Sequence, residues 1–116
     1  MTSLYKILRP EQWREFQARG LFTGAPVDIA DGYIHFSTGE QARETAAKHF
    51  ADCERIVLLK VDSAALPKAL AQALKWEVSR GGALFPHLYA NLPLDCIAGS
   101  WEITNTDSGF DFPAEI

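Results

Sequence analysis

Asp31-Gly32-Tyr33-Ile34-His35-Phe36-Ser37-Thr38, followed by Gly39-Glu40-Gln41, packs a turn, a short strand and a helix start into one stretch. Asp31-Gly32 is turn chemistry, and Tyr33 to Ser37 is β-favouring. Thr38 with Gln41 three residues later has the spacing of a capping box. A strand that delivers hydroxyls to a helix N-terminus creates a place where a polar or anionic ligand can be met. Alternation along the strand puts Tyr33, His35 and Ser37 on one face and Ile34 and Phe36 on the other, so one face is polar and the other is core.

Working outward, Ala42, Thr45, Ala46, His49 and Phe50 fall on one side of a helix from about Gly39 to Ala51. The run 55–61, RIVLLKV, is too continuously apolar for an exposed strand and reads as a central strand buried on both faces. Upstream, Ser3 to Leu8 predicts a half-buried first strand. Pro10 opens a helix that carries Trp13 and Phe16 inward and stops at Gly20. Residues 21–30 have neither period and are expected to form an irregular connection.

Downstream, Leu66, Leu70, Ala73 and Leu74 predict another helix, and 75–79 returns to β. Pro86 argues that 84–89 is a loop or an edge, because proline cannot donate to a ladder. A last strand pair or hairpin is expected over 94–103, with the tail from Asn105 draped on the surface. The sum is an α+β fold, a single domain over 1–116, with a small mixed or antiparallel split sheet flanked by about three helices.

The chain has 116 residues, 47% of them apolar, and a formal charge of -4 with its basic residues scattered singly. Duplex nucleic acid and anionic membrane surfaces are therefore not expected partners. No window is long and apolar enough to span a membrane, and no signal segment leads the chain, so a cytoplasmic protein is expected. Cys53 and Cys96 lack metal-site or redox spacing and read as two reduced thiols.

Three groups of side chains could carry chemistry. The first is His35 with Ser37 and Thr38, a hydrogen-bonding set that also reads simply as a capped helix with a satisfied histidine. The second is Phe85-Pro86-His87-Leu88-Tyr89, where Phe85, His87 and Tyr89 share a face and suit a stacked planar ring. The third is Trp76-Glu77 with Arg80. Here a carboxylate among apolar neighbours is a candidate general acid/base, and the arginine a candidate phosphate ligand. A metal site would require the fold to gather His35, His87 and Glu77, and no metal motif predicts one.

With Tyr5-Lys6-Ile7, Trp13, 31–38, the helix at Gln41, Trp76-Glu77, 85–89 and Leu92-Pro93-Leu94-Asp95, the chain resembles the bacterial domain of unknown function 952. Residues 32–47 are in turn similar to part of the ADP-ribosyltransferase fold. That second resemblance implies a sheet split around a cleft for NAD or an ADP-ribose-like nucleotide. Glu77 would orient a sugar hydroxyl and the acceptor; Tyr5 or Tyr33, with Tyr89, would stack on the ligand; His35 or His87 would hold a ribose. Three functions are thus in view: a transferase or glycohydrolase with Glu77 and His35 as catalytic groups, a non-catalytic ligand-binding module, and a protein-interaction domain using 85–89.

Overall fold

The computed structural model describes residues 3–116, apart from the Arg80 side chain. Its backbone is organised on strand β4 (Arg55–Asp62), the apolar run singled out above. Strands β1 (Ser3–Leu8) and β8 (Gly99–Thr106) pair antiparallel on either side of it, and β9 (Gly109–Phe110) pairs with the end of β8. Alternation in β4 divides its side chains between two cores. Leu59 and Val61 join Leu4, Leu8, Phe16 and Phe22 on one face, while Ile56 and Leu58 join Ile7, Ala42, Ala46 and Ile103 on the other. Each fully buried leucine contributes about 1.5–3 kcal/mol relative to exposure.

Helix α1 (Pro10–Arg19) covers the first face through Phe16, with Trp13 packed edge-on against it at 5.5 Å. Helix α3 (Gly39–His49) lies on the second face, its small residues Ala42 and Ala46 fully buried. Strand β1 is buried on both faces rather than half-buried, because these two layers cover it from opposite sides.

A second sheet has the order β3 (Ile34–His35), β6 (Leu84–Leu88), β5 (Leu74–Val78), again antiparallel. Tyr5 and Ser37 join it to the first sheet: each donates its N–H to the other's carbonyl at 2.8 Å. The result is one curled antiparallel surface; no parallel pair occurs among the described strands. Four α-helices flank it, two of them only six residues long.

Several expectations are corrected. Residues 21–30 are not irregular: β2 (Leu21–Phe22) pairs with β7 (Leu92–Pro93), and α2 (Pro26–Asp31) follows. Proline at the first helical position and Asp28 at the third start α2 without a periodic apolar pattern. Leu74 belongs to β5, and α4 (Lys68–Ala73) is one short helix before it.

Pro86 sits in a central strand. Its backbone groups face β3, where the ladder reaches only to His87. The Pro86 carbonyl still accepts the Phe36 N–H at 3.0 Å, and the missing donor forfeits only the return bond at the end of that short ladder, leaving the pairing with β5 intact. The segment 85–88 is accordingly buried rather than a surface loop. Residues 94–96 form a 3-10 turn, and β8 pairs with β4 instead of closing a hairpin over 94–103. The tail from Asn105 is more than draped: Asn105 and Thr106 pair with Phe110 and Gly109 in a short hairpin, Phe110, Phe112 and Ile116 pack on the second core, and Arg43 donates to the carbonyls of Pro113 and Ile116.

Candidate functional site

Helix α2 is closed at its start by Asp28, whose Oδ2 accepts the Ala25 N–H at 2.7 Å. The loop reaches this closely because residue 24 is glycine: at φ 120° a Cβ there would stand 3.0 Å from the Asp28 Cβ. The other Asp28 oxygen, Oδ1, accepts the Lys6 ammonium at 3.1 Å and the His35 backbone N–H at 3.0 Å, and lies 2.7 Å from His35 Nδ1. Both Lys6 and Asp28 are buried. Burial pushes the Asp28 carboxyl up, but the His35 hydrogen bond, the Lys6 charge and the two backbone donors outweigh it and hold the group at about 2. Burial lowers the Lys6 ammonium, with Asp28 opposing.

On the far side of His35, Nε2 lies 2.9 Å from Asp31 Oδ2. The imidazole is therefore held between two carboxylates. Both ring nitrogens are thereby engaged within the protein.

Tyr33 lies between the Gly32 turn and β3 and stacks on His87, centroids 4.1 Å apart. The Tyr33 ring also meets Tyr89 at 5.1 Å and His35 at 4.6 Å. Across the β5–β6 ladder, Glu77 is diagonal to His87, which places Glu77 Oε1 2.9 Å from His87 Nδ1, and Tyr89 Oη donates to the same oxygen at 2.6 Å. The Tyr89 and His87 hydrogen bonds lower the Glu77 carboxyl, and the same bond pushes the Tyr89 phenol up to about 12. Partial burial and the charges of Asp31 and Glu77 also push Tyr33 up.

The cluster borders an open groove of about 340 Å³ lined by Thr23, Asp28, Tyr33, Tyr89 and Asn91 among others. The one charged residue of the lining, Asp28, is paired with Lys6, and two partly exposed carboxylates, Asp31 and Glu77, stand beside the groove. Both hydrogen bonds of Glu77 go to Oε1, so Oε2 has no protein hydrogen bond among the described residues.

Of the residues expected at a site, the fold thus gathers Tyr33, His35, Glu77, His87 and Tyr89. It does not bring the others to them. Ser37 is buried, with its hydroxyl 3.0 Å from that of Thr45, and Thr38 caps α3 through the Gln41 N–H. Tyr5 is a core residue, and Trp76 faces away from Glu77 on the opposite side of β5. The Arg80 side chain lies outside the described residues. No group of three or more His, Cys, Asp or Glu is placed to share a metal ion among the described residues.

Lys6 and Asp28 were not anticipated. The readable signal was Lys6 itself, a charge on the Leu4 and Leu8 face of an otherwise apolar strand, which demands a buried counter-charge.

The sequence profile of the family described as protein of unknown function (DUF952) matches residues 7–100, a span that contains the whole cluster from Asp28 to Tyr89. The crystal structure of protein CC0527 from Caulobacter crescentus superposes with a TM-score of 0.81 at 44% identity, covering 94% of this chain and 92% of that one. The solution structure of CC0527 gives 0.80 at 47% identity, covering 95% and 91%. No curated protein matches the chain.

Proposed function

We propose, from the premise that this chain belongs to the DUF952 family, that the groove beside Tyr33 binds a small planar ligand carrying or developing positive charge. The observation that carries this reading is Glu77. One of its oxygens is fixed by His87 and Tyr89, the other has no described protein partner, and stacked aromatic rings stand beside it. Aromatic faces next to a carboxylate with a free oxygen attract cations and flat cationic rings. Oxidised NAD, whose nicotinamide ring is cationic, is the ligand the ADP-ribosyltransferase resemblance implies. The matching reaction is transfer or hydrolysis at the ribose carbon that bears the nicotinamide. In it Glu77 orients a sugar hydroxyl and the acceptor as positive charge develops on the sugar. Tyr33 stacks, and His87 keeps Glu77 in place.

The test is a thermal-shift titration with NAD, NADH, ADP-ribose and nicotinamide. A ligand at 100 times its Kd adds about 2.7 kcal/mol, a rise of several degrees for a domain of this size. The expected result is a larger shift with NAD than with the uncharged ring of NADH, lost in Glu77→Gln. Equal shifts with NAD and NADH, or no shift with either, would remove the reading.

A second reading, binding without turnover, is favoured by His35, whose two nitrogens are both engaged by carboxylates. Released nicotinamide after prolonged incubation decides between the two.

A further inference from the structure

We infer that the free edge of β5 pairs antiparallel with β5 of a second copy of this chain, centred on Trp76. Strand β5 ends its sheet, with β6 on one side only. The Tyr89 N–H donates to the Ala73 carbonyl, and the register continues as Lys75 opposite His87 and Glu77 opposite Phe85. Residues 73, 75 and 77 therefore face β6 with their backbone groups, and those of Leu74, Trp76 and Val78 point outward. The Leu74 N–H is taken by Ala71, which leaves the Leu74 carbonyl, both backbone groups of Trp76 and the Val78 N–H as the edge on offer.

The sequence of this edge, Leu74-Lys75-Trp76-Glu77-Val78, is complementary to itself when reversed about its centre. With Trp76 on the twofold axis, the two Trp76 residues exchange N–H···O bonds, and each Val78 N–H meets the Leu74 carbonyl of the other copy. Lys75 then stands directly opposite Glu77 of the partner subunit, in the closer, non-hydrogen-bonded kind of pair, where opposite charges stabilise and like charges do not. An isologous contact requires this self-matching.

The outer face of the same ladder adds apolar surface: Trp76 is 41% exposed, Val78 70% and Leu84 51%. Exposed apolar edge strands are ordinarily blunted or paired. Here the reversal symmetry of charge selects a second copy over an unrelated strand. This inference does not rest on the ligand reading, but the two meet at one group: in the dimer Lys75 of the partner subunit and a cationic ligand compete for the Glu77 carboxylate, and sedimentation and thermal shift read them separately.

Sedimentation velocity over a wide concentration range tests it, with circular dichroism as the folding control. Wild type is expected to be dimeric, and Lys75→Glu monomeric, because glutamate would then face Glu77 of the partner subunit. The double variant Lys75→Glu with Glu77→Lys restores the charge match and should recover the dimer. Val78→Lys, which leaves the ladder to β6 untouched, should also be monomeric. A monomeric wild type at the highest concentration would overturn the inference, and so would a dimer indifferent to all three changes.

Discussion

Asp28 takes up hydrogen bonds from Ala25, from Lys6 and from both the backbone and the ring of His35, and it does so buried. Because the carboxyl is held at about 2 in the folded chain and is near 3.9 when unfolded, acid protonates the unfolded form first. Its contribution, about 2–3 kcal/mol, is complete above roughly pH 5 and is lost as pH falls through about 2. Asp28→Asn should flatten that acid limb in urea unfolding measured at several pH values. It should also cost about 3–5 kcal/mol at neutral pH by stranding the Lys6 ammonium. A variant that unfolds like the wild type at pH 7 would mean the ion pair carries no such weight. In the sequence His35, Glu77, His87 and Tyr89 were legible as candidates because strand alternation fixes which side chains share a face. Asp28 was not, since nothing local signals a partner for Lys6 that lies 22 residues away.

Short elements carry much of the geometry, and they are the ones that periodicity reads least well. Helix α2 has six residues between Gly24 and Gly32, both at positive φ, yet the two glycines are needed for different reasons. A Cβ at residue 32 meets nothing within 4 Å, so Gly32→Ala pays for backbone strain alone, about 1–2 kcal/mol. At residue 24 the added carbon also presses on Asp28 Cβ at 3.0 Å and on Ile29 Cγ1 at 3.3 Å. Gly24→Ala should therefore lower the urea midpoint more than Gly32→Ala and shift the His35 ring resonances. Equal losses would show that the close approach is unimportant. Long strands such as β4 were readable because eight residues of continuous apolar character leave few alternatives. Strand β6 was misjudged because the rule against proline in a central strand concerns the N–H. Whether that group is needed depends on how far the neighbouring strand runs.

At the scale of the whole molecule, β1 and β4 serve two cores at once, and neighbouring residues Leu58 and Leu59 point into different ones. Neither core can then melt alone without unravelling the strands of the other. Leu58→Ala and Leu59→Ala should each cost about 2–5 kcal/mol and leave a single transition, with near- and far-ultraviolet circular dichroism coinciding. Two separated transitions would mean that the cores are independent. The α+β class followed from the alternation of strand-like and helical stretches. The way the sheet curls did not, because it depends on Tyr5 meeting Ser37, a contact without a sequence signature. That join has a mechanical meaning. The backbone stitches the two halves together by one reciprocal pair of amides, while Lys6 on one half and His35 on the other both grip the same Asp28 carboxylate. A seam of this kind is a stitch fastened by an ionic clasp: below about pH 2 the Asp28 carboxylate takes up a proton, the grip on Lys6 and His35 weakens, and the single pair of amides is left to hold the halves together.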